Sequence, residues 1–270
     1  MPEPLVDIQN SRDERNIPID RVGIKKVLYP ITLRTRDNGP LSTVGEFTLT
    51  VDLPRHFKGT HMSRFVEVLA GHSHDLSPAE APEILAKLRK KLDAETAHIE
   101  CTFTLFLEKA APVTKKTAMM GYKCGFRASS GPPDLMALDL IVPVTTLCPC
   151  SKEISAYGAH NQRGYVTVRV TPDLSLDTLW LEDIIDMIER VGSAPLYPLL
   201  KRPDEKFVTE LAYDNPRFVE DMVRETAILF NQERRITKYR IEVENHESIH
   251  DHNAYAMIER DKNSTPTTYP

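Results

Sequence analysis

Alternation of apolar and polar residues is the feature that most restricts how this chain can fold. It is clearest over 97–108, where Ile99, Cys101, Phe103, Leu105 and Leu107 fall on one face and mostly polar side chains on the other. A period of two is the mark of a half-buried β-strand. The pattern returns at 164–171, with Val166, Val168 and Val170 against Tyr165, Thr167 and Arg169. It returns again at 236–245, with Tyr239, Ile241 and Val243 against Lys238, Arg240 and Glu242. Residues 24–37, 43–53, 115–129, 134–147 and 252–259 complete the predicted strands. Pro143 lies inside one of them and predicts an edge or a bulge there, because it has no N–H to give to a ladder. Cys101 reads as a core thiol, and Cys124 also falls within a strand.

Four stretches carry the helical period instead. The first starts near Thr60, the predicted N-cap, with Met62, Phe65, Val66 and Leu69 on one stripe. The second starts at Ser77-Pro78, a capping residue followed by proline at the first helical position, with Ile84, Leu85, Leu88 and Leu92. The third, 178–191, buries Leu181, Ile184, Ile185 and Ile188. The fourth opens at Asn215-Pro216 and carries Val219, Met222, Val223 and Leu229. In order, each half of the chain reads ββααββ, a repeat of topology with little shared sequence. The expected organisation is a polar arm at 1–22, a first module at 23–130 and a second at 131–270, divided at Gly131-Pro132-Pro133. The expected class is α+β, antiparallel sheets with helices on one face. The second half differs by a long polar loop, 148–163, between its first two strands, and long loops inside compact domains are usually functional or disordered.

Composition narrows the partners. Apolar residues make up 41% and charged residues 27%, the range of a soluble globular chain, and the net charge of −5 argues against a general nucleic-acid binder. A local basic pocket for a small anion is compatible with that charge. No stretch approaches ~20 uninterrupted apolar residues, so no membrane span is expected. The acidic start of the chain reads as neither a signal nor a transit peptide. Four cysteines, Cys101, Cys124, Cys148 and Cys150, are too sparse for a disulfide framework, so reduced thiols in the cytoplasm are expected.

Chemistry-bearing residues gather in five places. The loop Cys148-Pro-Cys150-Ser-Lys152-Glu153 running to Gly158, His160 and Arg163 holds two thiols, a histidine, two cations and an acid. A thiolate and an imidazole suit a borderline-soft divalent metal, yet the spacing matches no zinc-finger pattern. A metal site, a nucleophilic Cys148 and an ordinary polar loop all remain open on these residues alone. His246, His250 and His252 crowd the turn before the last strand, where imidazoles could move protons near neutrality. His250 and His252 share parity and face one way if the strand has begun. The string Lys201-Arg202-Pro203-Asp204-Glu205-Lys206 reads by itself as a solvated charged loop. Glu220 falls outside the apolar stripe of its helix, and a solvated carboxylate is the plain reading. Gly59-Thr60-His61-Met62-Ser63-Arg64 opens a helix whose N–H groups would suit a phosphate, against the plain reading of a capped helix with a surface arginine.

Taken in order, the strings DIQNSRDERNIPIDRVGIK, GTHMSRF, LCPCSKEIS with YGAHNQR, LKRPDEKFVTE and ESIHDHNAYA resemble the type IB GTP cyclohydrolases I over nearly the whole chain. His246 alone of the cluster His246, His250 and His252 has no clear place in that pattern. The resemblance implies a tunnelling fold of two tandem modules, assembling into a barrel-like homo-oligomer, usually a tetramer, with active sites at subunit interfaces. It implies conversion of GTP and water to 7,8-dihydroneopterin triphosphate and formate, the first step toward tetrahydrofolate. Carried over by motif, Cys148, His160 and Glu205 are implied ligands of one divalent metal, Zn²⁺, Mn²⁺ or Fe²⁺; a carboxylate in the set hardens the site. Glu220 is the implied guanine anchor, since a carboxylate can accept N1–H and the 2-amino N–H together. Cys148, His250 and His252 are the expected catalytic residues, one histidine protonating N7 and the other assisting deformylation. Lys152, Arg163, His61 and Arg64 are the expected triphosphate contacts. The competing expectations are a nitrile reductase of the same fold with a cysteine nucleophile, and a non-catalytic purine- or pterin-binding scaffold.

Overall fold

A computed structural model of the chain describes residues 7–9, 11–37, 39–71, 78–131 and 134–264. Its strands are β1 (Ile19–Arg34), β2 (Pro40–Leu53), β3 (Ala97–Ala110), β4 (Thr117–Ser130), β5 (Leu135–Leu147), β6 (Asn161–Pro172), β7 (Ala194–Pro195), β8 (Ile236–His246) and β9 (Ala254–Asp261). Its helices are α1 (Met62–Ala70), α2 (Ala81–Leu92), α3 (Pro149–Ile154), α4 (Leu181–Val191), α5 (Arg202–Asp214) and α6 (Val219–Gln232). The strands run β1-β2-β3-β4-β5-β6-β8-β9 in one nine-stranded sheet, with β7 beside β5. No helix among the described residues is long and apolar enough to cross a membrane.

The chain divides into two compact units. The first comprises 1–34, 38–103 and 125–136. Here β2 pairs antiparallel with β3, and the register sets Phe47 opposite Cys101, Leu49 opposite Ile99 and Val51 opposite Ala97. All six are buried. Helix α2 packs on β2, and α1 packs on α2 and β1, which buries Phe65, Leu69, Ile84, Leu85 and Leu88. Fully burying one such large side chain contributes roughly 1.5–3 kcal/mol. Met62 and Val66, expected on the buried stripe, stay exposed, and Val68 is buried in their place. The N-cap of α1 is His61 rather than Thr60, and no side chain caps it. Ser77, expected to cap the second helix, and Pro132 and Pro133 of the dividing turn lie outside the described residues. Pro78 opens a short 3-10 turn that precedes α2.

The second unit comprises 35–37, 104–124 and 137–270. Its core follows the register of three strands. Leu138, Leu140 and Val142 of β5 face Val170, Val168 and Val166 of β6, which in turn face Tyr239, Ile241 and Val243 of β8. Ile184, Ile185 and Ile188 of α4 and Met222, Val223 and Phe230 of α6 are buried, and the Phe230 ring meets Tyr239 edge-on at 5.6 Å. Pro143 is in register with Tyr165, with no bulge in that pairing. It sits one residue before β5 takes the two-residue β7 as a partner at Val144 and Thr145, so the missing N–H falls at a change of neighbour.

Three helices of this unit open the same way. The third helical residue, Asp183, Asp204 or Asp221, accepts the N–H of the N-cap, Trp180, Lys201 or Phe218, at 3.3, 2.9 and 2.9 Å. An acid there satisfies an orphan donor and complements the helix dipole. This corrects two expectations. The charged string 201–206 is the N-cap and first turn of α5, with Pro203 at the second helical position. Asn215-Pro216 does not open α6; Asn215 closes α5, its backbone and side-chain N–H groups both donating to Leu211 O, and α6 starts at Val219. At the far end of α6 the Arg235 guanidinium donates to Glu233 at 2.9 and 2.8 Å, to Asp183 at 2.8 Å and to Thr178 O at 2.9 Å.

Hydrogen bonds from Arg235 hold the Glu233 carboxyl down to about 2. A carboxylate depressed in the folded state lends stability that is complete above its unfolded pKa, ~4.3, and is lost as pH falls through the folded value. Glu233→Gln is therefore expected to lower the urea midpoint at pH 7. The gap from the unsubstituted protein should narrow between about pH 4.3 and about pH 2, as denaturation at stepped pH will measure.

Candidate active site

The predicted loop 148–163 is largely ordered secondary structure. Pro149 at the first helical position starts α3, and Cys148 is its N-cap. The Cys148 Sγ accepts the Ser151 N–H at 3.4 Å. The turn back to β6 passes through Gly158, whose φ of +65° lies in the left-handed region that favours glycine. Cys148 N–H then donates to His160 O at 3.1 Å, next to Leu147 and Asn161, the last register pair of β5 and β6. Ser151 ties the closure: its hydroxyl donates to Cys148 O at 3.1 Å and accepts the His160 N–H at 3.2 Å. Cys148 and His160 are thus joined through the backbone at one end of the sheet.

The His160 side chain is 14% exposed, and its Nδ1 lies 2.9 Å from Gln162 Oε1. The Gln162 amide donates to Thr146 Oγ1 at 3.0 Å, and both of these residues are buried. Glu247 approaches the same Nδ1 at 3.8 Å and is 12% exposed. Cys150 is exposed. Burial pushes the Cys124 thiol up to about 12 and Cys101 higher still; both are core thiols that stay protonated.

The other expected residues are placed as follows. Glu205 is exposed on the first turn of α5, while its neighbour Asp204 is fully buried. Asp204 accepts the N–H groups of Val113 and Thr114 at 2.9 and 2.8 Å and the Thr114 hydroxyl at 2.7 Å, besides Lys201 N–H. Burial alone would raise its pKa, but these bonds outweigh it and hold the carboxyl well below the usual range. Glu220 is exposed on the first turn of α6. Lys152 donates to Tyr213 O at 2.5 Å and lies 4.2 Å from the centre of the Tyr213 ring, which fastens α3 to the last turn of α5. Arg163 is exposed on β6 opposite His246. His250 and His252 lie before β9 begins rather than within it, yet their rings stack at 5.0 Å and 18°, and His252 Nδ1 is 3.3 Å from Asp251. In the first unit, His61 Nε2 is 3.3 Å from Asp7, and Arg64 donates to Lys91 O at 3.3 Å.

Among the described residues, no three His, Cys, Asp or Glu side chains gather closely enough to hold a metal ion within one chain. The Cys148 and His160 pair nevertheless has the right chemistry for one. It offers a sulfur and an imidazole from residues locked to each other, and the second ring nitrogen of the imidazole is already occupied by a neighbour. Sequence reasoning missed Ser151, Gln162, Asp204 and Glu247. Proline followed by an acid at the third position could have flagged Asp204; nothing local marks the other three.

A family model for Type I GTP cyclohydrolase folE2 matches residues 5–256. The chain is 52% identical over 260 residues to the GTP cyclohydrolase FolE2 of Nitrosococcus oceani and 50% identical to that of Azoarcus sp. (strain BH72), each time covering 96% of both chains. Its fold resembles that of the uricase from Arthrobacter globiformis, with a TM-score of 0.51, 10% identity and coverage of 93% and 96% of the two chains. The urate oxidase from Bacillus subtilis 168 gives a TM-score of 0.52 at 8% identity, covering 90% and 98%. These structures share the α+β tunnelling fold with this chain.

The Ser151 closure makes its own prediction. Ser151→Ala removes one acceptor and one donor from the loop and leaves the sheet intact. The His160 amide is expected to exchange about tenfold faster, the effect of losing one hydrogen bond of roughly 1–1.5 kcal/mol, while the amides of Val166 and Val168 keep their protection.

Proposed function

The chain belongs to the type I GTP cyclohydrolase FolE2 family, and from that membership we infer that Cys148, His160 and Glu205 form the metal-binding part of its active site. The enzyme converts GTP toward dihydroneopterin triphosphate in folate biosynthesis. The balanced reaction we assign is GTP plus water to 7,8-dihydroneopterin triphosphate plus formate, as in the type IB enzymes. The observation that carries the site is the closed loop in which Ser151 bonds both Cys148 and His160.

A divalent metal, Zn²⁺, Mn²⁺ or Fe²⁺, would supply Lewis acidity and an activated water at neutral pH. Glu220, exposed at the start of α6, accepts guanine N1–H and the 2-amino N–H and so orients the purine. His250 and His252 hold and release the protons that the imidazole ring of the base needs, one at N7 and one during loss of formate. Their rings stack at 5.0 Å, which brings the two imidazoles to one place. Lys152, Arg163, His61 and Arg64 take the triphosphate. His61 and Arg64 lie in the first unit, and a homotetramer with sites at subunit interfaces would let a neighbouring copy supply them. On this reading the modules are 23–130 and 131–270, preceded by the arm 1–22, and the enzyme works in the cytoplasm.

Two substitutions test the assignment. Cys148→Ala is expected to lose both zinc binding and formate release from GTP, and retention of both would remove Cys148 from the ligand set. Glu220→Gln is expected to lower kcat/KM for GTP at least ~tenfold, about 1.4 kcal/mol, because a neutral amide cannot accept both guanine donors. Unchanged kinetics would move the purine anchor elsewhere.

A further inference from the structure

We propose that Gln162 is a positioning residue for the metal site: its side-chain oxygen fixes His160 with the proton on Nδ1, so that Nε2 presents its lone pair to the metal. This rests on the reading of His160 as a ligand. Three observations carry it. His160 Nδ1 lies 2.9 Å from Gln162 Oε1, and an amide oxygen only accepts, so the bond requires N–H at Nδ1. The amide is also held at its other end, because its Nε2 donates to the Thr146 hydroxyl at 3.0 Å and Thr146 is the direct cross-strand partner of Gln162. The Glu247 carboxylate, 3.8 Å from the same Nδ1, repels a lone pair at that nitrogen and favours a proton there.

Burial gives the arrangement its force. Gln162 is 8% exposed and Thr146 fully buried, so an amide that lost either partner would leave a desolvated polar group unpaired. The ring therefore cannot turn over without breaking the His160–Gln162–Thr146 chain. A histidine whose free nitrogen is chosen in advance binds metal without first paying to reorient, and outer partners of this kind are typically worth 10–100-fold in metal affinity.

The test uses the full chain and zinc alone as the probe. Gln162→Leu is expected to weaken Zn²⁺ binding, measured by chelator competition, by about 10–100-fold. Gln162→Glu keeps an acceptor and is expected to stay within about threefold of the unsubstituted protein. Thr146→Val, which leaves Gln162 in place but frees its amide, is expected to fall between them. ¹⁵N spectra of histidine-labelled, zinc-free protein should show His160 as the Nδ1–H tautomer, and a mixture of tautomers in Gln162→Leu. An Nε2–H tautomer in the unsubstituted protein overturns the proposal. So does unchanged zinc affinity in Gln162→Leu when His160→Ala has lost it. If His160→Ala binds zinc normally, the ligand reading fails instead, and the tautomer spectrum still decides the role of Gln162. Should Gln162→Leu fail to fold, Thr146→Val and Gln162→Glu carry the comparison.

Discussion

The pairing of β6 between β5 and β8 governs the second unit. A slip of one residue along β6 would turn Val166, Val168 and Val170, all buried, toward the other face, because side chains alternate with a period of two. The same slip would part Thr146 from Gln162 and Arg163 from His246, which the present register sets directly opposite each other. Core and site therefore read one register. Burial of the valines against Leu140, Val142, Ile241 and Val243 supplies the free energy, at roughly 25 cal/mol per Å² of apolar surface. The polar pairs at the end of the ladder use the position so fixed.

Beside this apolar core the unit buries a few polar groups, and two of them, Asp204 and Gln162, hold parts of the candidate site. Asp204 receives four donors and binds the start of α5 to the 113–114 turn; removed from water without them, a carboxylate would be costly to keep charged. Asp204 therefore sets where the first turn of α5 lies, and Glu205 is carried on that turn. Ser151 and Gln162 do the same for Cys148 and His160. Each residue assigned to the metal thus has a neighbour whose hydrogen bonds go to that ligand or to the backbone that bears it.

The strands were legible in the sequence because alternation is a local property. Helices with a clear apolar stripe were legible for the same reason, and the errors fell where a local signal had two meanings. Asn215-Pro216 can open a helix or follow one, and the preceding charged string hid the helix that it follows. In 201–206 the acids read as solvated, since the partners of Asp204 lie about ninety residues earlier and no local pattern joins them. The Cys148–His160 pair was visible as residue types. The hydroxyl of Ser151 and the amide of Gln162 became meaningful only once strand pairing brought them beside their partners. The roles proposed for Glu205 and Glu220 rest on the family motifs; the residues alone would have left both as surface acids.

Exposure divides the assigned residues into two groups. Cys148 and His160 are half-buried and fixed by neighbours, whereas Glu205, Glu220, Arg163, His250 and His252 face solvent. Charged groups in water need no partner to be stable, so the outer group can be laid out for a substrate without cost to the fold. Lys152 stands between the two. One donor of its ammonium goes to the carbonyl of Tyr213, which anchors α3 to α5 and so the Cys148 loop to the helix that carries Glu205. An ammonium has three donors, and two remain for a phosphate oxygen. Clamping the loop is then compatible with the triphosphate contact proposed for the same side chain. In a chain of net charge −5, attraction for a polyanion must come from such local cations rather than from the field of the whole protein.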